Sequence, residues 1–195
     1  MSDGELIGMS AGILSFAAYV LYFFSTFRGE TKPNRATWWI LTLVGSLIAA
    51  SYYASGARDT IWVAVSYVLG PAIIAVLSLR YGEGTWERLD KICLAGALAG
   101  AVIWYLSDSA ITALTINILM DFLGLIPTIK KSYLRPEGED RAAWMLESLA
   151  GICNLFAISV WTFAIAFYPL YLLAMNATIT LLLLRPRRAR TAQIL

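Results

Sequence analysis

The sequence is dominated by long apolar runs, separated by short segments that hold most of the lysines and arginines. A transmembrane helix needs about 20 mostly apolar residues, and seven runs reach or approach that length. We predict membrane spans at Leu6–Phe27, Thr37–Ala54, Ile61–Leu79, Ile92–Ser107, Ala110–Ile129, Ala143–Ser159 and Trp161–Leu184. The fourth run is short, and the sixth and seventh nearly meet at Val160. The expected fold is an all-α integral membrane protein with seven transmembrane helices.

The composition of the chain indicates that much of its surface faces lipid. Hydrophobic residues make up 59% of it and charged residues 14%, whereas soluble domains have roughly 45–50% and about 25%. A soluble domain of this composition would lack the polar exterior that water requires. The net charge of +2 is small, and the tail Arg185–Arg190 is the one basic patch outside the predicted membrane region. We therefore expect membrane lipids, and no nucleic acid, as partners.

The sequence offers few ligands for a metal ion or a haem. It has no histidine, and its two cysteines, Cys93 and Cys153, each lie inside an apolar run. Histidine is the commonest metal ligand, and a cysteine in an apolar run more often acts as a small hydrophobic residue than as half of a disulfide. We predict no metal and no other cofactor.

Lysines and arginines are distributed unequally over the predicted loops. Fourteen of the 15 lie after the first, third and fifth spans or in the C-terminal tail, and only Arg58 lies on the other side. Cytoplasmic loops of membrane proteins carry such an excess. We predict a multi-pass protein of the cell membrane with its N-terminus outside and its C-terminus in the cytoplasm. The short chain and short termini are typical of a prokaryotic inner membrane protein.

Two stretches 106 residues apart read almost alike: NRATWWILTLVG at Asn34–Gly45 and DRAAWMLESLAG at Asp140–Gly151. Each begins a predicted span after a proline-containing loop, and four spans separate them, so both copies run in the same direction through the membrane. We predict two parallel three-helix repeats, residues 1–85 and 109–195, joined by a linker helix at 86–108. Parallel repeats are one known transporter design. The alternative is a coincidence of the Trp and Arg residues that collect at membrane boundaries.

The second copy and its surroundings resemble a known family. The stretch Asp121–Leu146 is similar to a PQ-loop repeat: a helix with a proline near its cytoplasmic end, a basic exit, a short loop and a helix bearing a tryptophan. With the 3+1+3 layout, the chain resembles the SWEET and PQ-loop (MtN3-like) superfamily of seven-span transporters. Pro127-Thr128 stands where that family has Pro-Gln, and the first copy has Tyr22-Phe23 instead of a proline pair. The resemblance implies facilitative or proton-coupled transport of a small polar solute.

Only two acidic residues lie inside predicted spans, Asp121 and Glu147. An ionisable group in hydrocarbon costs a few kcal/mol and is usually retained for function. Asp121 lies nine residues before Lys130, which places it on the order of 13 Å below the cytoplasmic end of its helix. Glu147 lies six residues past Arg141, on the order of 9 Å deep. Removal from water disfavours a charged carboxylate, so Asp121 is a candidate carrier of one proton or partner of one cationic group.

Helical spacing brings polar and small residues alongside both acids. The fifth span carries Asn117, Asp121, Gly124 and Thr128 on one face, and the sixth carries Glu147, Ala150, Gly151 and Asn154. We predict a water-accessible cavity in the second half, in which the solute is bound by Asp121, Asn117, Asn154, Asn176 and Glu147. Asn176 is included because SWEET-like transporters have solute-binding asparagines on the third helix of each half. Ser66 and Tyr67 occupy that place in the first half. The alternative is that these residues have a structural role, since polar residues in spans often only form hydrogen bonds with neighbouring helices. Glu147 could also form an ion pair with Lys130 or Arg141.

Three prolines lie inside predicted spans, Pro71, Pro127 and Pro169. Each removes a backbone hydrogen bond from its helix and is a candidate hinge, or else a packing kink. Gly96 and Gly100 have the spacing that permits close contact between helices in a membrane.

Other functions fit this sequence less well. An intramembrane hydrolase would need paired aspartates, a Ser–His pair or a zinc motif, and the sequence has none, although Asp121 and Glu147 could serve an isomerase or a lipid-modifying enzyme. A retinal photoreceptor would need a lysine in the seventh span, and Trp161–Leu184 has none. A receptor or binding protein of the same fold stays open, and so does assembly into a homo-oligomer.

Overall fold

The computed structural model describes residues 2–83 and 86–186. Over these residues the chain is all-helical, as predicted, with seven α-helices and no strand. The helices are α1 (Asp3–Phe27), α2 (Arg35–Ala54), α3 (Ile61–Tyr81), α4 (Arg88–Tyr105), α5 (Ala110–Leu134), α6 (Arg141–Phe156) and α7 (Phe163–Leu184), with a 3-10 turn at Pro136–Gly138. Among the described residues, α1, α2, α3, α5 and α7 are long and apolar enough to cross a membrane. The chain is therefore a membrane-embedded protein. Most of the basic tail lies outside the described residues.

The α6 helix is shorter than a membrane span requires, and α4 is near the lower limit and charged at its start. With 16 residues, α6 is about 24 Å long, against a hydrocarbon core of about 30 Å. The predicted span Ala143–Ser159 extends too far, because α6 ends at Phe156 and the Ser159 hydroxyl bonds to Asp59 in another connection. α4 has 18 residues and carries three charged residues in its first turn: Arg88, Asp90 and Lys91.

The α5 helix is longer than the sequence indicated. We predicted its end at Ile129, where two lysines follow, but the helix continues to Leu134. Lys131 does not mark the membrane boundary here, because its side chain is buried and paired with Glu139. The prediction of a break near Val160 is confirmed, since residues 157–162 are not helical. The Thr162 side chain caps α7 at its start.

The two copies of the repeated motif begin their helices in the same way. The Asn34 side chain accepts a hydrogen bond from the Thr37 amide at 3.0 Å, and the Asp140 side chain accepts one from the Ala143 amide at 2.8 Å. These N-caps satisfy amide groups that have no partner within the first helical turn. The repeated motif therefore encodes a helix start.

The glycine that ends each copy permits a close helix contact. A Cβ on Gly45 would overlap the carbonyl oxygen of Tyr67 on α3. A Cβ on Gly151 would lie 3.3 Å from the Cβ of Leu173 on α7. Each motif helix therefore lies directly against the helix that follows it.

The helices pack in a regular pattern. α3 contacts both α1 and α2, while α7 contacts both α5 and α6. Between these groups, α1 packs against α6 and α2 packs against α5. α4 lies against α5, and Gly100 faces that helix, since a Cβ there would overlap Met120. The close contact predicted for this glycine is thus present.

The connections gather at two ends of the bundle. At one end, the Lys32 amide bonds to the Gly138 carbonyl at 3.1 Å and the Glu83 amide to the Pro33 carbonyl at 3.0 Å. We call this the basic end, because it carries the basic loops after α1, α3 and α5. At the opposite or far end, Ser159 bonds to Asp59. Which end faces the cytoplasm stays a prediction.

Candidate functional site

The five residues predicted to bind a solute are all buried, but they do not form one site. They are Asn117, Asp121, Glu147, Asn154 and Asn176. Glu147 and Asn176 line a common cavity, whereas the other three lie outside its lining. The cavity measures about 20 Å³, which is room for about one water molecule.

The cavity lies between α1–α3 and α6–α7, and not within the second half as predicted. Five aromatic side chains line it together with Glu147 and Asn176; they are Tyr19 and Tyr22 of α1, Trp38 of α2, Tyr67 of α3 and Trp144 of α6. Trp38 and Trp144 occupy corresponding positions in the repeated motif, so each copy contributes its tryptophan to the same cavity. The predicted location differs because it was placed from the two acids and three asparagines of the fifth to seventh spans, whereas the aromatic residues of α1 carried no signal of burial.

Glu147 is held by a hydroxyl group of α1, which is bonded in turn to a hydroxyl group of α3. The Ser15 hydroxyl on α1 donates to its carboxylate, 2.9 Å from Oε1 and 3.1 Å from Oε2. The Ser66 hydroxyl on α3 lies 2.7 Å from Ser15 Oγ and extends the chain of polar groups. No lysine or arginine in the described ranges forms an ion pair with Glu147. The alternative pairing with Lys130 or Arg141 is therefore wrong.

Asp121 is fully buried on α5 and lies outside the cavity lining. The Tyr171 hydroxyl donates to its Oδ2 at 2.7 Å. Its Oδ1 has no hydrogen-bond partner among the described residues. Because a buried acceptor without a partner is costly, Asp121 retains capacity for a proton or a cationic group.

The polar face predicted for α5 mostly contacts α2. The Asn117 side-chain amide donates to Ser51 Oγ at 3.0 Å, and the Thr128 hydroxyl lies 3.0 Å from Thr37 Oγ1. A Cβ on Gly124 would lie 2.7 Å from Ile40. For Asn117, the alternative of a bond between neighbouring helices is the one observed. Helical spacing correctly grouped these residues but could not say whether a helix or water lay opposite them.

Asn154 and the three prolines complete the predicted set. Asn154 is buried on α6 and its Oδ1 has no partner among the described residues. Pro71, Pro127 and Pro169 lie inside α3, α5 and α7. Their role as hinges stays a prediction, since a single conformation shows no movement.

Sequence reasoning missed a buried ion pair at the basic end. Lys131 Nζ lies 2.8 Å from Glu139 Oε1, and both side chains are almost wholly buried. The Tyr22 hydroxyl donates to Glu139 Oε2 at 2.9 Å, and Trp144 Nε1 donates to the same oxygen at 3.0 Å. We call these four residues the Glu139 cluster. Glu139 follows a turn in a charged loop, where an acid is usually solvated, so no local pattern indicated its burial.

The Glu139 cluster also joins backbone segments and borders the cavity. Lys131 Nζ donates to the Gly138 carbonyl at 2.8 Å and to the Lys32 carbonyl. Tyr22 and Trp144 belong both to the cluster and to the cavity lining. The ion pair therefore lies over the cavity on the side of the basic end.

Comparison with protein-family models, with curated proteins and with solved structures finds no match for this chain.

Proposed function

We propose that this protein is a membrane transporter of a small polar solute, of the SWEET and PQ-loop kind, and that it works by facilitative or proton-coupled movement. The observation that carries the proposal is the pair of carboxylates, Asp121 and Glu147, buried among apolar helices with no ion pair to a basic residue in the described ranges. Ionisable groups at such depth are costly, and they mark solute or proton pathways in membrane proteins.

We infer that α1–α3 and α5–α7 are two copies of one three-helix unit and that α4 links them, which gives seven crossings of the membrane. In each group the third helix packs against the other two, and the cross-contacts of α1 with α6 and of α2 with α5 are those that a two-fold axis would relate. At the offset of the repeated motif, Ser15 of α1 corresponds to Asp121 of α5, and both are buried. Parallel units of this kind occur in transporters.

The contact between the two units is suited to movement. The hydrogen bonds that connect their helices include those of Ser15 with Glu147, Ser51 with Asn117, Thr37 with Thr128, and the Tyr52 hydroxyl with the Ile165 carbonyl. These bonds can exchange with water one at a time. Within each unit, a glycine of the motif holds two helices in close contact. Opening would therefore separate the units and leave each unit intact, as in alternating access.

The cavity that the Glu139 cluster borders has room for about one water, so a larger solute can enter only after the units separate. We propose that the far end faces the outside of the cell and the basic end faces the cytoplasm, because cytoplasmic loops carry the excess of lysine and arginine.

Transport is tested with the purified full-length protein in liposomes. Uptake of labelled sugars, amino acids and vitamins identifies the solute, and a pH jump then measures the dependence of uptake on the proton gradient. If transport is proton-coupled, we expect Asp121→Asn to lose this dependence, because an amide cannot carry the proton. Asp108→Asn, which changes an exposed acid at the far end, is the control and should retain it.

Two outcomes would contradict parts of the proposal. Undiminished proton dependence in Asp121→Asn would refute the role of that residue in coupling. Binding of a solute without uptake would favour the second candidate, a receptor of the same fold. The buried Lys131–Glu139 pair is the observation on which this second candidate rests, because a permanently closed basic end would allow binding but no passage.

A further inference from the structure

We infer that the ligand of the cavity is a small organic cation, such as an ammonium or guanidinium compound. The inference rests on the proposed function and narrows it to a substrate class. It is carried by three independent observations on the cavity: its charge, its aromatic walls and one unpaired amide.

The first observation is that no basic side chain among the described residues neutralises the buried acid of the cavity. Glu147 lines the cavity, and the second buried acid, Asp121, is bonded to Tyr171 of α7. No lysine or arginine within the described part of the chain pairs with either acid. The buried Lys131 cannot serve, because it is already bonded to Glu139 and two carbonyls. A buried carboxylate is costly unless a cation or a proton neutralises it, so the site favours a positively charged ligand.

The second observation is the arrangement of the aromatic rings. Tyr19 stands edge-on to Trp38, with 6.2 Å between ring centroids and an interplanar angle of 78°. It stands in the same way to Tyr67, at 6.3 Å and 70°. Tyr22 is tilted against Trp38 at 4.7 Å. Rings at steep angles present faces in several directions, and the face of an aromatic ring attracts a cation such as quaternary ammonium.

The third observation is Asn176 on α7. Its side chain is buried to more than nine-tenths and lines the cavity. Within the described residues it has no hydrogen-bond partner. An amide oxygen facing the cavity can accept a hydrogen bond from an ammonium or guanidinium N–H. This group is independent of the two acids, and it too indicates a ligand.

Other ligand classes fit the lining less well. An anion would be repelled by Glu147 and finds no basic side chain in the lining. A sugar could stack on the rings, but its many hydroxyl groups would find only Glu147 and Asn176 as polar partners apart from aromatic side chains. A small cation has fewer polar groups, and Glu147 and Asn176 can bind them.

The test measures binding by pairs of molecules that differ mainly in charge. The full-length protein in detergent is titrated with choline against the neutral 3,3-dimethyl-1-butanol, and with guanidinium against urea, at constant ionic strength. Binding is followed by the tryptophan fluorescence, because Trp38 and Trp144 line the cavity. We expect at least one cation to bind about tenfold more tightly than its neutral partner, which corresponds to about 1.4 kcal/mol.

Variants assign the preference to the cavity. Glu147→Gln should abolish the preference for the cation, while Glu147→Asp should retain part of it. Glu87→Gln, which changes an exposed carboxyl at the basic end, is the matched control and should bind as the unchanged protein does. Size-exclusion chromatography of each variant verifies the fold, and Glu147→Asp keeps the test decisive if the amide variant does not fold.

The outcomes separate this inference from the proposed function. Equal binding of cations and neutral partners, or a response to sodium chloride alone, would overturn the inference. Uptake of a neutral solute into liposomes would then still support transport. Conversely, a cation that binds through Glu147 but is not taken up would support the ligand class and contradict transport.

Discussion

Glu139 and Glu147 lie eight residues apart in the sequence, and both are buried, but their surroundings differ. Glu139 accepts hydrogen bonds from Tyr22 and Trp144 and forms an ion pair with Lys131. Glu147 accepts from one hydroxyl, that of Ser15. Glu139 has three partners, one of them a cation, whereas Glu147 has no cationic partner among the described residues.

This difference distinguishes a structural carboxylate from one available for function. Removing one partner from a buried ion pair leaves an uncompensated charge and is strongly destabilising. A carboxylate that is buried without a cation instead lowers stability and is retained for another reason. The comparison therefore predicts that changes in the Glu139 cluster affect stability, whereas changes at Glu147 affect ligand binding and transport.

The largest effect is expected for Lys131→Met. The substitution leaves the charge of Glu139 buried and unpaired, so the free energy of unfolding should fall by about 3–5 kcal/mol. It is measured by reversible unfolding in mixed detergent micelles. The neighbouring Lys130→Met, which breaks an exposed pair with Glu87, is the control. Equal stability of the two variants would remove the distinction between the two carboxylates.

A smaller effect is expected for Tyr22→Phe. The Tyr22 hydroxyl donates to the charged Glu139 at 2.9 Å, and its loss should lower the free energy of unfolding by about 1–2 kcal/mol. The same unfolding experiment measures it. Tyr133→Phe changes an exposed tyrosine and should leave stability unchanged; a comparable loss there would mean that the bond to Glu139 contributes little.

The Glu147→Gln variant should change the free energy of unfolding by less than about 1 kcal/mol and should not lower it, because the neutral amide avoids the cost of burying a charge. The matched Glu139→Gln variant should lower stability clearly, since it leaves Lys131 without its partner. A loss in Glu147→Gln as large as that in Glu139→Gln would mean that both carboxylates are structural.

The smallest effect is expected at the exposed pair of the basic end. The hydrogen bond from Lys130, and then its charge, lowers the pKa of Glu87 below the ordinary value of 4.5. When folding lowers the pKa of a carboxyl, that carboxyl stabilises the fold at pH values above its ordinary pKa. The stabilisation is lost as the pH falls through the lowered pKa. The pair is exposed and screened by salt, so Lys130→Met should differ from the unchanged protein only slightly at neutral pH. The difference should vanish in acid, which a pH series of unfolding curves measures.

The sequence predicted much of the fold because hydropathy and capping are local. The long apolar runs predicted the helices, and the repeated motif predicted that Asn34 and Asp140 stand in corresponding places. The end of α5 could not be predicted, because Lys131 looks like a membrane-boundary lysine until its partner Glu139 is located. That partner is fixed by the fold of the connecting loop and not by a local pattern.

The candidate site was only partly predictable for a related reason. Hydropathy and depth were sufficient to identify Asp121 and Glu147 as unusual. Which residues surround them depends on how the helices pack, and Ser15 lies 132 positions from Glu147 along the chain. Asn117 shows the same limit, because its spacing matched that of Asp121 while its partner proved to be Ser51 on another helix.

The bond between Ser15 and Glu147 also has a consequence for biosynthesis. N-terminal segments leave the ribosome first, so α1–α3 are made before α6. In the complete structure the Ser66 hydroxyl lies 2.7 Å from the Ser15 hydroxyl and 2.8 Å from the Val63 carbonyl, and all three groups belong to α1 or α3. The later α6 brings a carboxylate whose hydrogen-bond donor, among the described residues, lies on α1. The early helices therefore provide the surface on which the later helices pack. If α6 were made without α1, Glu147 would enter the membrane without its hydrogen-bond donor Ser15.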